Sequence, residues 1–272
     1  MSRLSACFKA AARENRRLLI PFLMAGDPDP SWTPGLMEAA VTAGADIIEI
    51  GIPFSDPMAD GTTIQQAHER ALRAGLNLKQ VLGLVTTFRT QDLRTPVVLM
   101  GYLNPIEAMG YGVFAHAAKV AGVDGVIVVD MPLEESAALN AELLGVGIDL
   151  VLLVAPTTGV ERLRRISEAA RGFLYYVSLR GVTGAAHLDL AEAKAAVARM
   201  RALSGLPVAL GFGIDSPESA RGAAQFADGV VVGSALIRRI AACGTDRERA
   251  LAETGTFLRQ LRVAMDQTGP TI

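Results

Sequence analysis

Eight short aliphatic runs recur along the chain, and most of them are followed by a helical pattern. The runs cover residues 18–24, 46–50, 97–100, 125–129, 148–154, 173–177, 207–210 and 229–232. Several are apolar on both faces, which is typical of strands in a parallel sheet that is covered on both sides. The spacing of successive runs suits a loop, a helix and a second loop between strands. Eight such units predict an α/β fold, a closed (β/α)₈ barrel, rather than an open doubly wound sheet.

Helical patterns lie between these runs and at both ends of the chain. They cover residues 2–13, 34–43, 67–74, 78–89, 114–121, 134–144, 160–170, 190–203 and 246–265. Gly44, Gly75 and Gly122 stand just beyond helix ends, where a left-handed residue commonly ends a helix. No linker, low-complexity tract or tandem repeat interrupts the pattern. We therefore expect one barrel domain over residues 1–272, with an extra N-terminal helix and long loops after strands 2 and 6.

Charge and cysteine usage argue against several classes of protein. The 26 Lys and Arg residues nearly balance the 28 Asp and Glu residues, whereas binding to nucleic acid or an anionic membrane normally needs a basic excess. The two cysteines form no disulfide framework and the three histidines are scattered, so we expect no metal site. Residues 16–26 imitate a signal peptide without a cleavage site and are better interpreted as the first strand. We expect a cytoplasmic protein.

The second predicted strand contains a glutamate, a residue type that strands disfavour. Alternation places Ile48 and Ile50 on one face and Glu49 on the other, so Glu49 points into the barrel near the carboxyl end of its strand. Barrel enzymes carry their active-site groups at that end. The long loop that follows contains Asp56 and Asp60. The alternatives are a core glutamate paired with an arginine, a solvated Asp56, and an ordinary turn at Asp60.

Glycine-bearing turns follow the seventh and eighth predicted strands, at residues 211–217 and 233–236. Backbone N–H groups there, and a helix that begins at Ser234, would suit a phosphate group. These loops are the usual phosphate site of such barrels, although the glycines could serve turns alone. Loop six has glycines on both sides of Val182 and Thr183, which would suit a mobile lid but equally an ordinary surface loop.

The chain contains only four lysines, and all of them fall in helical patterns: Lys9, Lys79, Lys119 and Lys194. A Schiff-base aldolase needs a lysine inside the barrel, and a metal-dependent aldolase needs a cluster of ligands. Neither feature is visible in the sequence. Any carbon–carbon cleavage by this chain must therefore rely on carboxylates and on an electron sink in the substrate.

The motif at residues 49–61, EIGIPFSDPMADG, closely resembles the signature of the tryptophan synthase α subunit family, as do residues 130–135, 181–184 and 211–214. The resemblance covers almost the entire chain. It implies a (β/α)₈ barrel that cleaves indole-3-glycerol phosphate into indole and glyceraldehyde 3-phosphate. It also implies an α₂β₂ heterotetramer with a β subunit, to which indole passes through a tunnel. Pyridoxal phosphate is expected only in the β subunit, with no cofactor in this chain.

The resemblance also implies roles for individual residues. Glu49 would be the acid/base that protonates C3 of indole, and Asp60 would engage the indole N–H. Thr183, in loop six, would contact the aspartate of the loop after the second strand when loop six closes over the site. Asp56 and Asn104 would face the β subunit. Residues that match the indole end of the pocket are Phe22, Met100, Tyr102, Tyr175 and Phe212. Residues that match the phosphate end are Gly184, Gly213, Gly233 and Ser234.

One position departs from the family pattern, because Thr62 stands where proline is expected. Thr62 and Gln65 predict a capping box for the next helix. Three alternative functions stay open at this point. They are a stand-alone indole-3-glycerol phosphate lyase, a non-catalytic barrel that regulates a partner, and another phosphate-binding barrel such as a ribulose-phosphate epimerase. The last would need a metal or a second inward carboxylate elsewhere.

Overall fold

The computed structural model describes residues 2–177, 190–211 and 213–267. Nine parallel strands form one sheet within these ranges. They are β1 Leu18–Met24, β2 Ile48–Gly51, β3 Val97–Gly101, β4 Gly125–Val128, β5 Asp149–Leu150, β6 Leu152–Val154, β7 Leu174–Val177, β8 Val208–Gly211 and β9 Gly229–Val232. All eight predicted strands are present, and the fifth is divided into β5 and β6.

The division of the fifth strand closes the barrel. β5 pairs with β4 at one edge of the sheet, whereas β6 pairs with β7 at the other edge. Only Val151 separates the two segments, and its N–H still donates to the carbonyl of Val126 in β4. One continuous run of chain thus joins both edges of the sheet. The predicted (β/α)₈ barrel is confirmed.

Twelve α-helices surround the strands in the described ranges. They are α1 Arg3–Arg13, α2 Thr33–Thr42, α3 Thr62–Arg73, α4 Leu78–Arg89, α5 Leu103–Met109, α6 Tyr111–Ala121, α7 Ala137–Val146, α8 Val160–Ala169, α9 Leu190–Ser204, α10 Pro217–Ala224, α11 Ser234–Ala241 and α12 Arg247–Asp266. The helix expected to begin at Ser234 is found, and α5 and α10 were not predicted. No described helix has the length and apolar character needed to cross a membrane.

Strand alternation separates two apolar layers. Ile48 and Ile50 of β2 pack outward against the helices, whereas Ile47 belongs to the cluster that fills the barrel. Leu4 and Phe8 of α1 pack into this interior cluster from the N-terminal end of the strands. The predicted N-terminal helix therefore covers one end of the barrel, and functional groups are left to the opposite end.

Acidic side chains at the N-terminal ends of the strands bind arginines. Asp46, before β2, contacts Arg16 and Arg262, and Asp124, before β4, contacts Arg3 and Arg89. Each carboxylate also accepts a backbone N–H from a neighbouring strand. These contacts connect the strands to α1, α4 and α12 at the end of the barrel that α1 covers.

Candidate active site

Glu49 lies on β2 with its side chain in the barrel interior, as alternation predicts. Its neighbours in the sheet are Phe22 on β1 and Val98 on β3. The residue is 0% exposed, and neither carboxyl oxygen has a hydrogen-bond partner among the residues that the structure describes. The alternative interpretation, a core glutamate held by an arginine, is therefore wrong for the described part of the chain.

This environment changes the protonation of Glu49. Burial, with a smaller contribution from the negative charge of Asp60, raises the pKa of the carboxyl from 4.5 to about 8. A buried carboxylate without a partner is costly, so the group keeps its proton at neutral pH. A carboxylic acid that holds a proton at this pH and can release it is suited to general acid–base chemistry.

Asp60 lies at the far end of the loop that joins β2 to α3, residues 52–61. Its Oδ2 accepts a hydrogen bond from the Tyr102 hydroxyl at 2.8 Å and contacts Nε2 of His68 at 3.1 Å. Oδ1 receives no hydrogen bond from the described residues, and the side chain is 20% exposed. One carboxylate oxygen is thus held in place while the other is free to accept a hydrogen bond.

The loop itself is fixed by the same residues. The Tyr102 hydroxyl accepts the N–H of Ala59 at 3.0 Å, and the Tyr102 ring stacks on Phe54 with 5.0 Å between the ring centres. The amide of Gln65 donates to the backbone carbonyl of Asp60 at 2.8 Å. These contacts place the carboxylate of Asp60 by holding both its side chain and its backbone.

The capping box predicted at Thr62 is wrong. α3 begins at Thr62 itself, Gly61 is the residue before it, and no side chain caps the helix. Gln65 does not reach back to Thr62, since its amide bonds the carbonyl of Asp60 instead. The residue that departs from the family pattern is accommodated in the first turn of the helix.

Aromatic and sulfur-containing side chains lie beside the two carboxyl groups. Phe22 and Met100 belong to one apolar cluster at the carboxyl ends of β1 and β3. Tyr175 on β7 is buried, and burial first, then the charges of Glu49 and Asp60, raises its pKa well above the ordinary value. With Tyr102, these are the predicted indole-end residues that the structure describes. Met100 and Tyr102 lie at the carboxyl end of β3, whereas Tyr175 is the second residue of β7 and its hydroxyl reaches Gly211 at the end of β8.

Two glycines make room for the rings. A Cβ atom on Gly211 would lie 2.4 Å from the Tyr175 hydroxyl, and one on Gly51 would lie 2.6 Å from the ring of Phe22. Such distances are shorter than any real contact, so only glycine fits without a shift of the aromatic side chain. Gly51 and Gly211 are therefore needed for the packing of Phe22, Met100 and Tyr175, which together form an apolar wall of the site.

The predicted phosphate end lies after β8 and β9, and β9 is the neighbour of β1 in the sheet. Gly233 precedes α11, and a Cβ atom on Gly233 would be 3.6 Å from the Cβ of Phe22. Ser234, the first residue of α11, is exposed, and the helix offers no acceptor for its N–H. Gly213, after β8, has a φ of +77°, a conformation that favours glycine. A helix start next to the apolar wall can attract an anion.

The remaining predicted site residues are either exposed or outside the described part of the chain. Thr183, Gly184 and Phe212 lie outside the described residues. Asp56 and Asn104 are exposed, in the loop after β2 and on α5. The structure also adds a residue that sequence reasoning missed, His68, which contacts Asp60. The sequence feature that could have indicated this residue is its place on the buried face of α3, with Ile64, Ala67 and Ala71.

The barrel fold and the two carboxyl groups at its mouth define a (β/α)₈ barrel enzyme that uses acid–base chemistry. Comparison with known proteins identifies it further. Residues 8–266 match the family described as Tryptophan synthase alpha chain. A tryptophan synthase alpha chain from Thioalkalivibrio sulfidiphilus is 54% identical over 266 residues, which cover 98% of this chain and 100% of that protein.

Solved structures agree with the sequence comparison. A tryptophan synthase alpha chain from Legionella pneumophila superposes with a TM-score of 0.92 at 43% identity, and 100% of each chain is covered. A chain of the tryptophan synthase complex from Pyrococcus furiosus gives 0.81 at 39% identity, with 90% of this chain and 97% of that one covered. The chain belongs to the tryptophan synthase alpha chain family, and it is therefore a lyase of tryptophan biosynthesis.

Proposed function

We propose that this chain cleaves indole-3-glycerol phosphate into indole and glyceraldehyde 3-phosphate as the α subunit of a tryptophan synthase. The observation that carries the proposal is the carboxyl of Glu49. It is fully buried, has no hydrogen-bond partner among the described residues, and keeps its proton to about pH 8 beside Asp60. A buried acid of this kind at the active end of a barrel supports acid–base chemistry on a bound substrate.

The proposed cleavage begins with proton transfer from Glu49 to C3 of the indole ring. The ring then carries an iminium group, which accepts electrons. A base removes the proton of the side-chain hydroxyl next to C3, a carbonyl forms, and the bond between C3 and the side chain breaks. The bonding electrons return to the ring and give neutral indole. Glu49, now a carboxylate, can accept the hydroxyl proton and so regain its starting state. A positioned acid or base contributes about 10²–10⁴-fold.

Asp60 stabilises the charged intermediate in this mechanism. Its Oδ2 is held by Tyr102 and His68, whereas Oδ1 can accept from the indole N–H. Positive charge develops on that nitrogen when C3 is protonated, so the carboxylate binds the transition state more tightly than the substrate. Phe22, Met100 and Tyr175 would surround the ring, together with Phe212.

The phosphate of the substrate would lie after β8 and β9, beside the apolar side chains that would surround the ring. The start of α11, with Gly233 and Ser234, supplies N–H groups and the positive end of a helix dipole, and Gly213 stands in the neighbouring turn. Gly184 and Thr183 complete the set as residues of loop six, with Thr183 contacting Asp60 on closure. Such closure would exclude water from the carboxyl groups.

A β subunit is the proposed partner, in an α₂β₂ assembly. Asp56 and Asn104 are exposed at the active end of the barrel, and Met58 in the same loop is 85% exposed. A charged and an apolar group in one exposed loop suit a protein interface. Pyridoxal phosphate would be held by the partner, with no cofactor in this chain. Cys7 and Cys243 are free thiols, which fits the cytoplasmic location that we propose.

The direct test is an assay of indole formation from indole-3-glycerol phosphate, with and without a β subunit. We expect weak cleavage by the chain alone and a strong increase with the β subunit. Glu49→Gln should abolish cleavage, and Glu38→Gln, at an exposed site on α2, should leave it unchanged. High activity without the partner would indicate a stand-alone lyase. No cleavage by the wild type with a β subunit present would contradict the proposal and favour a regulatory barrel.

A further inference from the structure

His68 is a buried side chain of α3 that lies between two parts of the loop after β2. Its Nδ1 is 3.0 Å from the backbone nitrogen of Phe54, and its Nε2 is 3.1 Å from Oδ2 of Asp60. The side chain is 5% exposed. One imidazole ring therefore joins the first part of the loop to the carboxylate at its far end.

The partners of the two ring nitrogens require one protonation state. A backbone N–H can only donate, so Nδ1 must carry the lone pair that receives the Phe54 N–H. An ionised carboxylate can only accept, so Nε2 must carry the proton that Asp60 receives. A neutral imidazole with its proton on Nε2 satisfies both contacts. An imidazolium would place a second donor against the Phe54 N–H and would lose that contact.

Charged and titratable groups face His68 from the elements around it. Asp60 lies in the loop, and Tyr102, at the end of β3, presents its ring at 6.2 Å. Asp27 lies in the loop after β1; burial raises its pKa, while the hydrogen bonds and charge of Arg70 on α3 lower it. Asp27 is thus bound by Arg70, and Asp60 is the carboxylate that contacts the imidazole ring.

We propose that His68 is a positioning residue for the cleavage reaction: as the neutral Nε2–H tautomer it links the Asp60 carboxylate to the backbone of Phe54 and so fixes where that carboxylate lies. His68 acts through Asp60 and not on the substrate. The inference rests on the proposed function, in which Asp60 accepts from the indole N–H.

The helix that carries His68 is anchored without it. Ile64, Ala67 and Ala71 are buried on the same face of α3. Arg70 donates to both carboxylate oxygens of Asp27, with distances of 2.5 and 2.9 Å. We therefore expect variants at position 68 to keep the helix, so that a change in the reaction can be separated from a loss of structure.

The test compares His68→Ala with His68→Asn in the full chain assayed with a β subunit. A carboxamide offers an acceptor beside a donor, as the neutral imidazole does, but it does not titrate. Alanine offers neither. Because small misplacements of a catalytic group can cost about 100-fold, we expect kcat of the alanine variant to fall about 10- to 100-fold, with a smaller change in KM. The asparagine variant should recover most of this loss.

Two readouts distinguish positioning from packing: recovery by asparagine, which restores the hydrogen-bonding groups but not the volume of the ring, and the larger change in kcat than in KM. His116→Ala, at an exposed histidine on α6, is the matched control and should behave as the wild type. An alanine variant with wild-type kcat, or an asparagine variant no better than alanine, would overturn the inference. An inactive wild type would instead overturn the proposed function.

Discussion

Replacement of Glu49 by glutamine should change how the stability of the protein depends on pH. The folded state holds the Glu49 proton to about pH 8, whereas the unfolded chain releases it near the ordinary value of 4.5. Between these two pH values the folded state binds one more proton than the unfolded state. The free energy of unfolding must therefore fall as the pH rises through this window. Glutamine does not titrate, so the variant lacks this contribution.

The size of the effect follows from the separation of the two pKa values. Each pH unit between them lowers the free energy of unfolding by about 1.4 kcal/mol, and the fall levels off above the folded-state pKa. From about pH 5.5 to pH 8.5 the wild type should lose about 3 kcal/mol more than Glu49→Gln. A comparison across pH is more informative than one at a single pH, because the buried amide has a constant cost of its own.

Urea unfolding followed by circular dichroism at several pH values measures this difference. Glu38→Gln, at an exposed glutamate of α2, controls for the loss of one carboxyl and should follow the wild-type curve. Parallel curves for the wild type and Glu49→Gln would show that the carboxyl titrates alike in both states. Such a result would refute the argument that burial without a partner keeps Glu49 protonated.

Two further predictions concern neighbouring residues. Asp60→Asn should lower kcat about 10²–10³-fold, since a charge that stabilises the transition state is lost; it should also shift the alkaline limb of kcat/KM to lower pH, because Asp60 helps to raise the pKa of Glu49. A limb that does not move would contradict this coupling. Gly211→Ala should lower the free energy of unfolding by about 1–3 kcal/mol, because the new Cβ meets Tyr175. Gly83→Ala, in open space on α4, should raise it by about 0.5–1 kcal/mol; equal effects in urea unfolding would contradict the packing argument.

Sequence reasoning predicted the features that follow from periodicity. The face of Glu49 follows from the two-residue repeat of a strand, and the order of strands follows from the alternation of strand and helix. The division at Val151 could not be predicted, because it depends on which strand pairs with each side of the fifth run. α5 was missed because Asn104 and Pro105, at its start, are residues typical of turns.

The contacts of the site were less predictable than its strands. The motif was enough to select Asp60. Its contacts with Tyr102 and His68 could not be predicted, because they bring together three separate elements of the chain. His68 lies in the stripe of α3 with Ile64, Ala67 and Ala71, at the spacing of one buried helix face. A titratable residue in such a stripe is a signal for a buried polar contact, though not for its partner.

The central claim, that Glu49 is a buried acid which keeps its proton at neutral pH, can be measured directly. In protein with ¹³C-labelled glutamate carboxyl groups, NMR titration should show one resonance that changes near pH 8. That resonance should be missing from Glu49→Gln. If every glutamate resonance of the folded wild type titrated near the ordinary value of 4.5, Glu49 would be ionised at neutral pH, and the proposed proton transfer to indole C3 would have no donor.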